Sequence, residues 1–318
     1  MLSRVADSLY WMSRYMERAE HTARLLDLQL HLMLDLSPAS AAQRWDRVLE
    51  SLHVPLPGTN CDAYTYTELL TFDAANPNSI AACIGSAREN ARHVREQISS
   101  EMWEHVNRLS MQVRGTNMTH IWDDQPHKFF QTVKDGCHLF QGITDSTMTH
   151  GESWQFIQIG RAVERATATA RLLETQFQAS PNLEFNMSVS EDFLEWVGLL
   201  KSCTAFEAYC KVYTADLRPN RIAEFLILNP DFPHSVRFAV NSLTAALQAV
   251  AQVTESKRAK SVNRLAGRLR AAFDYGQIDE IVMHGLNHYL NDVREQCEYI
   301  HTAIYDAYIV YPVDELVS

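Results

Sequence analysis

A chain of 318 residues with 46% hydrophobic content is long enough to bury one large core or two medium ones. Only 11 glycines and 10 prolines punctuate it, which disfavours a fold of many short strands joined by tight turns. Acidic residues outnumber Lys and Arg by 39 to 28, a formal net charge of -11, which excludes general nucleic-acid binding unless a local basic surface overrides the total.

The first segment has the clearest periodicity. Leu9, Met12, Met16, Ala19, Ala23, Leu26, Leu30 and Met33 recur at spacings of three and four, the seam of a helix packed against other helices. A helix from Leu2 to Leu34, stopped before Pro38, would be roughly 50 Å long. Shorter helices are predicted over 41–52 and 64–72, separated by the loop through Pro55, Pro57 and Gly58. Ser79, after the Asn76-Pro77-Asn78 turn, caps a helix through Ile84, Ala91 and Ile98 that is expected to continue to Val113. A further helix covers 126–143, and Gly151 marks a loop.

The plan then restarts. Phe156, Ile159, Val163, Ala166, Ala170, Leu173 and Phe177 repeat the first seam at an offset of 147, and nine of fourteen residues are identical between 14–27 and 161–174. Three later matches share an offset of 156: Glu68-Leu69-Leu70 with Glu224-Phe225-Leu226, Pro77 to Ile80 with Pro233 to Val236, and Asn107-Arg108-Leu109 with Asn263-Arg264-Leu265. Ordered matches read as a duplicated half. Helices are expected over 191–215, from Pro219, over 235–253 and 261–273, and from Asp279 toward Tyr308, where Gly285 bends or divides the last. The Pro312 region ends the fold. The expected class is all-α: a long-helix bundle of two sequence-related halves, 1–150 and 151–318, with pseudo-twofold character and packed as one compact unit.

Beside each seam lie a Glu and an Arg, Glu17-Arg18 and Glu164-Arg165. A solvated face with ion pairs at helical spacing is one reading. The stripe of Trp11, Arg18, Leu25 and Leu32 points instead to a covered flank, where charges need partners because an isolated one is costly to bury. Crossed pairs, Glu17 with Arg165 and Glu164 with Arg18, would satisfy all four near a pseudo-twofold axis. A cleft lined by Arg14, Arg24, Arg161 and Arg171 would suit a small polar or peptide substrate, since guanidinium binds carboxylate in a planar fork. Arg88, Glu89 and Arg92 repeat the polar theme on another helix, and Asn107 and the Asn263-Arg264 pair are further candidates. Structural pairing, ligand binding and idle surface all stay open.

Metal and nucleophile motifs are thin. Glu17 and His21, Glu101 and His105, and His284 and His288 are each four apart, but helical di-iron sites use Glu-x-x-His pairs with further carboxylates, so these read as incidental. No phosphate loop, dinucleotide fingerprint or nucleophile elbow occurs; no cofactor or metal is expected, and catalytic residues are unknown. The six cysteines form no Cys-x-x-Cys pair and most sit in apolar helical text, reading as reduced core thiols. With no signal-like N-terminus and no membrane-spanning run, a cytoplasmic protein is expected.

The Met16-Glu17-Arg18-Ala19 text and its recurrence, with Ser79-Ile80 followed by Ala87 to Arg92 and with Asn229 to Phe238, resembles the bacterial alpha-E family, domain of unknown function 403. The resemblance covers essentially the whole chain. It implies a helical protein encoded beside, or fused to, circularly permuted ATP-grasp proteins and transglutaminase-like or protease-like proteins, and hence a part in peptide or amide metabolism. Glu17, Arg18, Glu164 and Arg165 match the named motif. The expected role is an accessory or substrate-binding protein for an ATP-grasp ligase. An amide- or peptide-processing enzyme using the Glu-Arg residues and a structural helical adaptor are the alternatives. Departures at Ala162, Thr167 and Ala168 argue against two equivalent sites.

Overall fold

A computed structural model describes residues 1–33, 38–55, 61–124, 126–179, 190–214, 216–254 and 257–310. Among them it contains helices and no strand, so the class is all-α. The expected end of the first helix at 34–36, the loop at Pro57-Gly58 and the terminus at Pro312 lie outside the described residues.

In chain order the helices are α1 (Ser3–Leu32), α2 (Pro38–Ser51), α3 (Ala63–Thr71), α4 (Ile80–His93), α5 (Ser100–Arg114), α6 (Met118–Asp124), α7 (Pro126–Thr147), α8 (Glu152–Ala179), α9 (Ser190–Ser202), α10 (Phe206–Tyr213), α11 (Pro219–Leu228), α12 (Val236–Thr254), α13 (Lys257–Tyr275), α14 (Ile278–His284) and α15 (Leu286–Ile304), closed by a π-helical turn, Tyr305–Ile309. Ser79 accepts from the Ala82 amide to cap α4, as its sequence predicts, and Pro219 opens α11. Gly285, at φ 102°, separates α14 from α15, a backbone conformation that costs a glycine little.

Two expected helices are broken. The helix predicted over 79–113 ends at His93, and a second start is made at Ser99, whose hydroxyl accepts from Met102 N and caps α5. The helix predicted over 191–215 is α9 plus α10, divided at Thr204 with φ 52°. His53, after α2, has φ 56°. In both turns an amide reaches back five residues, Val54 N to Leu49 O and Ala205 N to Leu200 O, a left-handed helix stop made without glycine.

α1 and α8 pack on each other at the centre. α1 carries α4 and α7 and α8 carries α12 and α15, while α5 lies against α4 and α7 and α13 against α12 and α15. α2 leans on α8, and α9 on α1. Surrounded on several sides, α1 buries its polar stripe as well as its seam: Arg14, Glu17, Glu20, His21 and Arg24 are all buried. α1 and α8 approach tightly at Gly160, where an added Cβ would sit 2.3 Å from the Tyr10 carbonyl oxygen. Backbone cannot yield as a side-chain tip can, so Gly160→Ala is expected to destabilise the fold by about 1–3 kcal/mol, measured as a shift in the urea midpoint.

Candidate functional site

The two Glu-Arg elements meet across the α1–α8 contact as crossed pairs. Glu17 accepts from Arg165 Nε at 2.5 Å and Nη2 at 3.0 Å, with Gln141 Nε2 adding a bond at 3.2 Å. Glu164 accepts from Arg18 Nε at 2.6 Å and Nη2 at 3.0 Å, and from Arg14 Nε at 2.7 Å. Both carboxylates are buried. Burial by itself would raise the Glu164 carboxyl, but Arg14 and Arg18 outweigh it and hold it down to about 2. Arg14 is fixed further by donating to Tyr10 OH at 3.1 Å, with its guanidinium 4.7 Å from the Trp11 ring centre. Arg18 Nη1 donates to Asn78 Oδ1 at 2.6 Å.

The two pairs differ in what lies beside them. Next to Glu164 is a cavity of about 230 Å³, lined in part by Arg14, Arg18, His21, Thr167 and Arg171, and walled on another side by the turn at Ser51 to Val54. Next to Glu17 the space is about 10 Å³, closed by Phe140, Gln141 and Arg161. The open side holds polar groups that are not fully paired among the described residues. Arg171 makes no hydrogen bond or ion pair among the described residues. His21 receives Arg24 Nη2 at its Nδ1, 3.2 Å away. A guanidinium only donates, so the His21 proton sits on Nε2, and Nε2 is buried with no partner. Burial and the neighbouring Arg24 push the His21 imidazole down to about 4, so it is neutral at pH 7.

The asymmetry traces to one residue type. At the offset of 147, Arg171 corresponds to Arg24 and Thr167 to Glu20. Arg24 is neutralised from one helical turn back by Glu20 Oε1 at 2.5 Å and also donates Nε to Ser202 O at 2.6 Å. Burial raises the Glu20 carboxyl, yet Arg24 and then His138 hold it well below the usual carboxylate range. Thr167 offers Arg171 no such charge. Of the residues expected to form the cleft, Arg14, Arg18, Glu164 and Arg171 line the cavity. Arg24 is consumed by Glu20, and Arg161 donates to Gln158 and Gln141 on the closed side.

The outer candidates do not join the cleft. Arg88 and Arg92 both pair with Glu89, at 2.6 and 2.9 Å, and Arg88 Nε donates to Asn107 Oδ1 at 2.7 Å, a separate α4–α5 cluster. Asn263 Nδ2 donates to the Ala259 carbonyl at 2.9 Å and Arg264 is exposed. Sequence reasoning set the Glu17–His21 spacing aside as incidental and gave His21 no place in the cleft, although it lines the cavity. The departures at Thr167 and Ala168, both on the cavity wall, were the visible signal. The incidental metal pairs stay apart in role, with Glu17 held by Arg165 and His105 Nε2 lying 2.6 Å from the Gly136 carbonyl oxygen.

Among known proteins, the chain is similar to an uncharacterized protein of Mycobacterium bovis, 21% identical over 332 residues, covering 95% of this chain and 36% of that protein. A Mycobacterium tuberculosis uncharacterized protein is 20% identical over 332 residues, with 95% of this chain and 36% of the relative covered. The chain therefore spans about a third of the length of the curated relatives it matches. No solved structure matches it. A family described as a predicted alpha-helical domain with a conserved ER motif matches residues 1–309, and with both Glu-Arg elements crossed at the centre of its helices, this chain belongs to the Alpha-E family.

Proposed function

We propose that this chain is an accessory, substrate-binding protein that holds a small carboxylate-bearing molecule, of amino-acid or dipeptide size, for an ATP-grasp ligase that forms amide bonds. The observation that carries the reading is Arg171, which lines the cavity and makes no hydrogen bond or ion pair among the described residues, while both Glu164 oxygens already accept from Arg14 and Arg18. Unmet donors around a confined space favour an anion, and about 230 Å³ limits it to a small one. The curated relatives carry nearly two-thirds of their length outside the matched region, room for a fused partner. A circularly permuted ATP-grasp protein, with a transglutaminase-like protein as a further associate, is the partner proposed from the resemblance. No helix among the described residues is long and apolar enough to cross a membrane; the buried thiols of Cys83, Cys137, Cys203 and Cys297 suit the reducing cytoplasm we propose as its location.

The amide-processing alternative fits less well. A general acid or base works best with a pKa near the operating pH, and Glu164, held at about 2, is a fixed anion with both oxygens engaged by Arg14 and Arg18. The structural reading suits the closed Glu17 side, where the pair fills its space.

Calorimetric titration of the intact chain with L-glutamate, diglutamate and inorganic phosphate tests the binding half. Saturable binding of at least one carboxylate probe is expected. Arg171→Ala should weaken it roughly 10- to 100-fold, the worth of a charge-assisted hydrogen bond of about 1.5–3 kcal/mol. Binding of none of the three, or equal binding by a folded Arg171→Ala chain, would overturn the assignment. For the partner half, failure to co-elute with a co-expressed ATP-grasp protein under mild conditions is the result that sinks it.

A further inference from the structure

A second cluster lies outside the cavity, where the C-terminal part of α1 meets the first turn of α7. Asp27 and His31 stand four residues apart on one face of α1, and His127 follows Pro126 at the start of α7. One ligand-capable atom from each lies within 4.8 Å of the others. His127 Nδ1 is 2.7 Å and His31 Nδ1 3.7 Å from Asp27 Oδ1. The two imidazole rings are 3.5 Å apart between centres, tilted by 36°.

We propose that Asp27, His31 and His127 bind a divalent transition-metal ion, with zinc the natural probe. Two imidazoles and one carboxylate suit zinc, iron, nickel or copper, whereas magnesium and calcium prefer all-oxygen shells. Around a tetrahedral zinc, with bonds of about 2.0–2.2 Å, ligand atoms sit roughly 3.4 Å apart. The present arrangement therefore needs shifts of about 1 Å, with the 2.7 Å contact of His127 to Asp27 opening and the wider spacings closing, within reach of side chains that are half-buried at His127 and exposed at His31. The supporting contacts are already placed. His31 Nδ1 also lies 2.8 Å from the Asp27 carbonyl oxygen, a contact that holds the ring over this face of α1. Lys134 Nζ holds Asp27 Oδ2 at 2.6 Å, leaving Oδ1 as a one-oxygen ligand. That ammonium also repels a cation, so affinity on the order of micromolar is expected rather than the tight grip of a closed four-ligand site. Three protein ligands leave a coordination position for water or a further ligand.

The test uses the full chain stripped with EDTA and titrated with zinc chloride by calorimetry. One zinc per chain is expected, with a thermal midpoint that rises with zinc concentration because the ion binds the folded state. The double variant His31→Ala, His127→Ala should lose at least tenfold in affinity and most of that rise. Lys134→Gln, which keeps a donor to Asp27 and removes the charge, should bind zinc at least as tightly as the wild type. Absence of stoichiometric binding by the wild type overturns the proposal. So does unchanged affinity in the double variant with its helical circular dichroism intact, since the ion would then sit on other histidines.

Discussion

Glu164→Gln is expected to cost about 3–5 kcal/mol of folding stability, the usual result of removing one partner from a buried ion pair. The carboxylate takes three hydrogen bonds from Arg14 and Arg18. Glutamine has one acceptor oxygen, and its amide N–H groups point donors at donors. Two guanidinium groups then share a site with no counter-charge. Against a typical net stability of about 5–15 kcal/mol the loss is large, and urea unfolding followed by helical circular dichroism reads it directly. Acid sharpens the comparison. The Glu164 carboxyl sits near 2 in the fold against an ordinary value of 4.5, so its contribution is whole above 4.5 and fades as pH falls toward 2. Wild-type stability should therefore drop more steeply than the variant's in that window. Glu20, also depressed, keeps the variant's slope from vanishing. A variant within about 1 kcal/mol of wild type at pH 7 would mean that the crossed pairs are not what holds these charges in the fold.

Thr167→Glu is expected to abolish ligand binding while leaving the fold intact. It recreates on α8 the arrangement of Glu20 and Arg24 on α1, where Glu stands one turn before Arg and the two pair at 2.5 Å. Glu before a basic residue at i,i+4 is the favourable order, worth about 0.3–0.5 kcal/mol on an open helix face. The new carboxylate would occupy Arg171 and place a negative charge in a cavity proposed to take anions. A loss of at least 10- to 100-fold in binding of L-glutamate or diglutamate is expected, with unfolding stability no lower than wild type. Thr167→Gln, of similar size but neutral, should retain more of the binding. If Thr167→Glu binds as the wild type does, Arg171 is not the anion's partner.

Much of this frame is readable in the sequence because a repeated helix states its own register. The seams from Leu9 and from Phe156 locate α1 and α8, and the crossed pairing of Glu17, Arg18, Glu164 and Arg165 follows from the rule that buried charges need partners. The helix breaks were harder. The interruption at 94–99 has no Gly or Pro to mark it, only the Ser99 cap, and Thr204 enters left-handed backbone without being glycine. Arg24 and Arg161 were placed in the cleft although Glu20 and Gln158, one turn back on the same helices, were in reach of them along the sequence; only the Gln141 contact to Arg161 needed the helices assembled. The Asp27–His31–His127 cluster depends on a contact across 100 residues of chain. Spacing along one helix cannot announce that.

The crossed packing of α1 and α8 also bears on how the proposed ligand would reach the cavity. α2 lies on α8 and α9 lies on α1, and parting α1 from α8 would strip Glu17, Glu164, Arg18 and Arg165 of their partners together. A hinged, clamshell-like opening on the microsecond-to-millisecond scale of domain motions would have to break these pairs together, so none is expected on ligand binding. The proposed ligand is expected to enter past the cavity's exposed margin at His53 and Glu298, where side-chain rotations take picoseconds to nanoseconds. The binding rate should accordingly be governed by diffusion and charge, with the scaffold standing still.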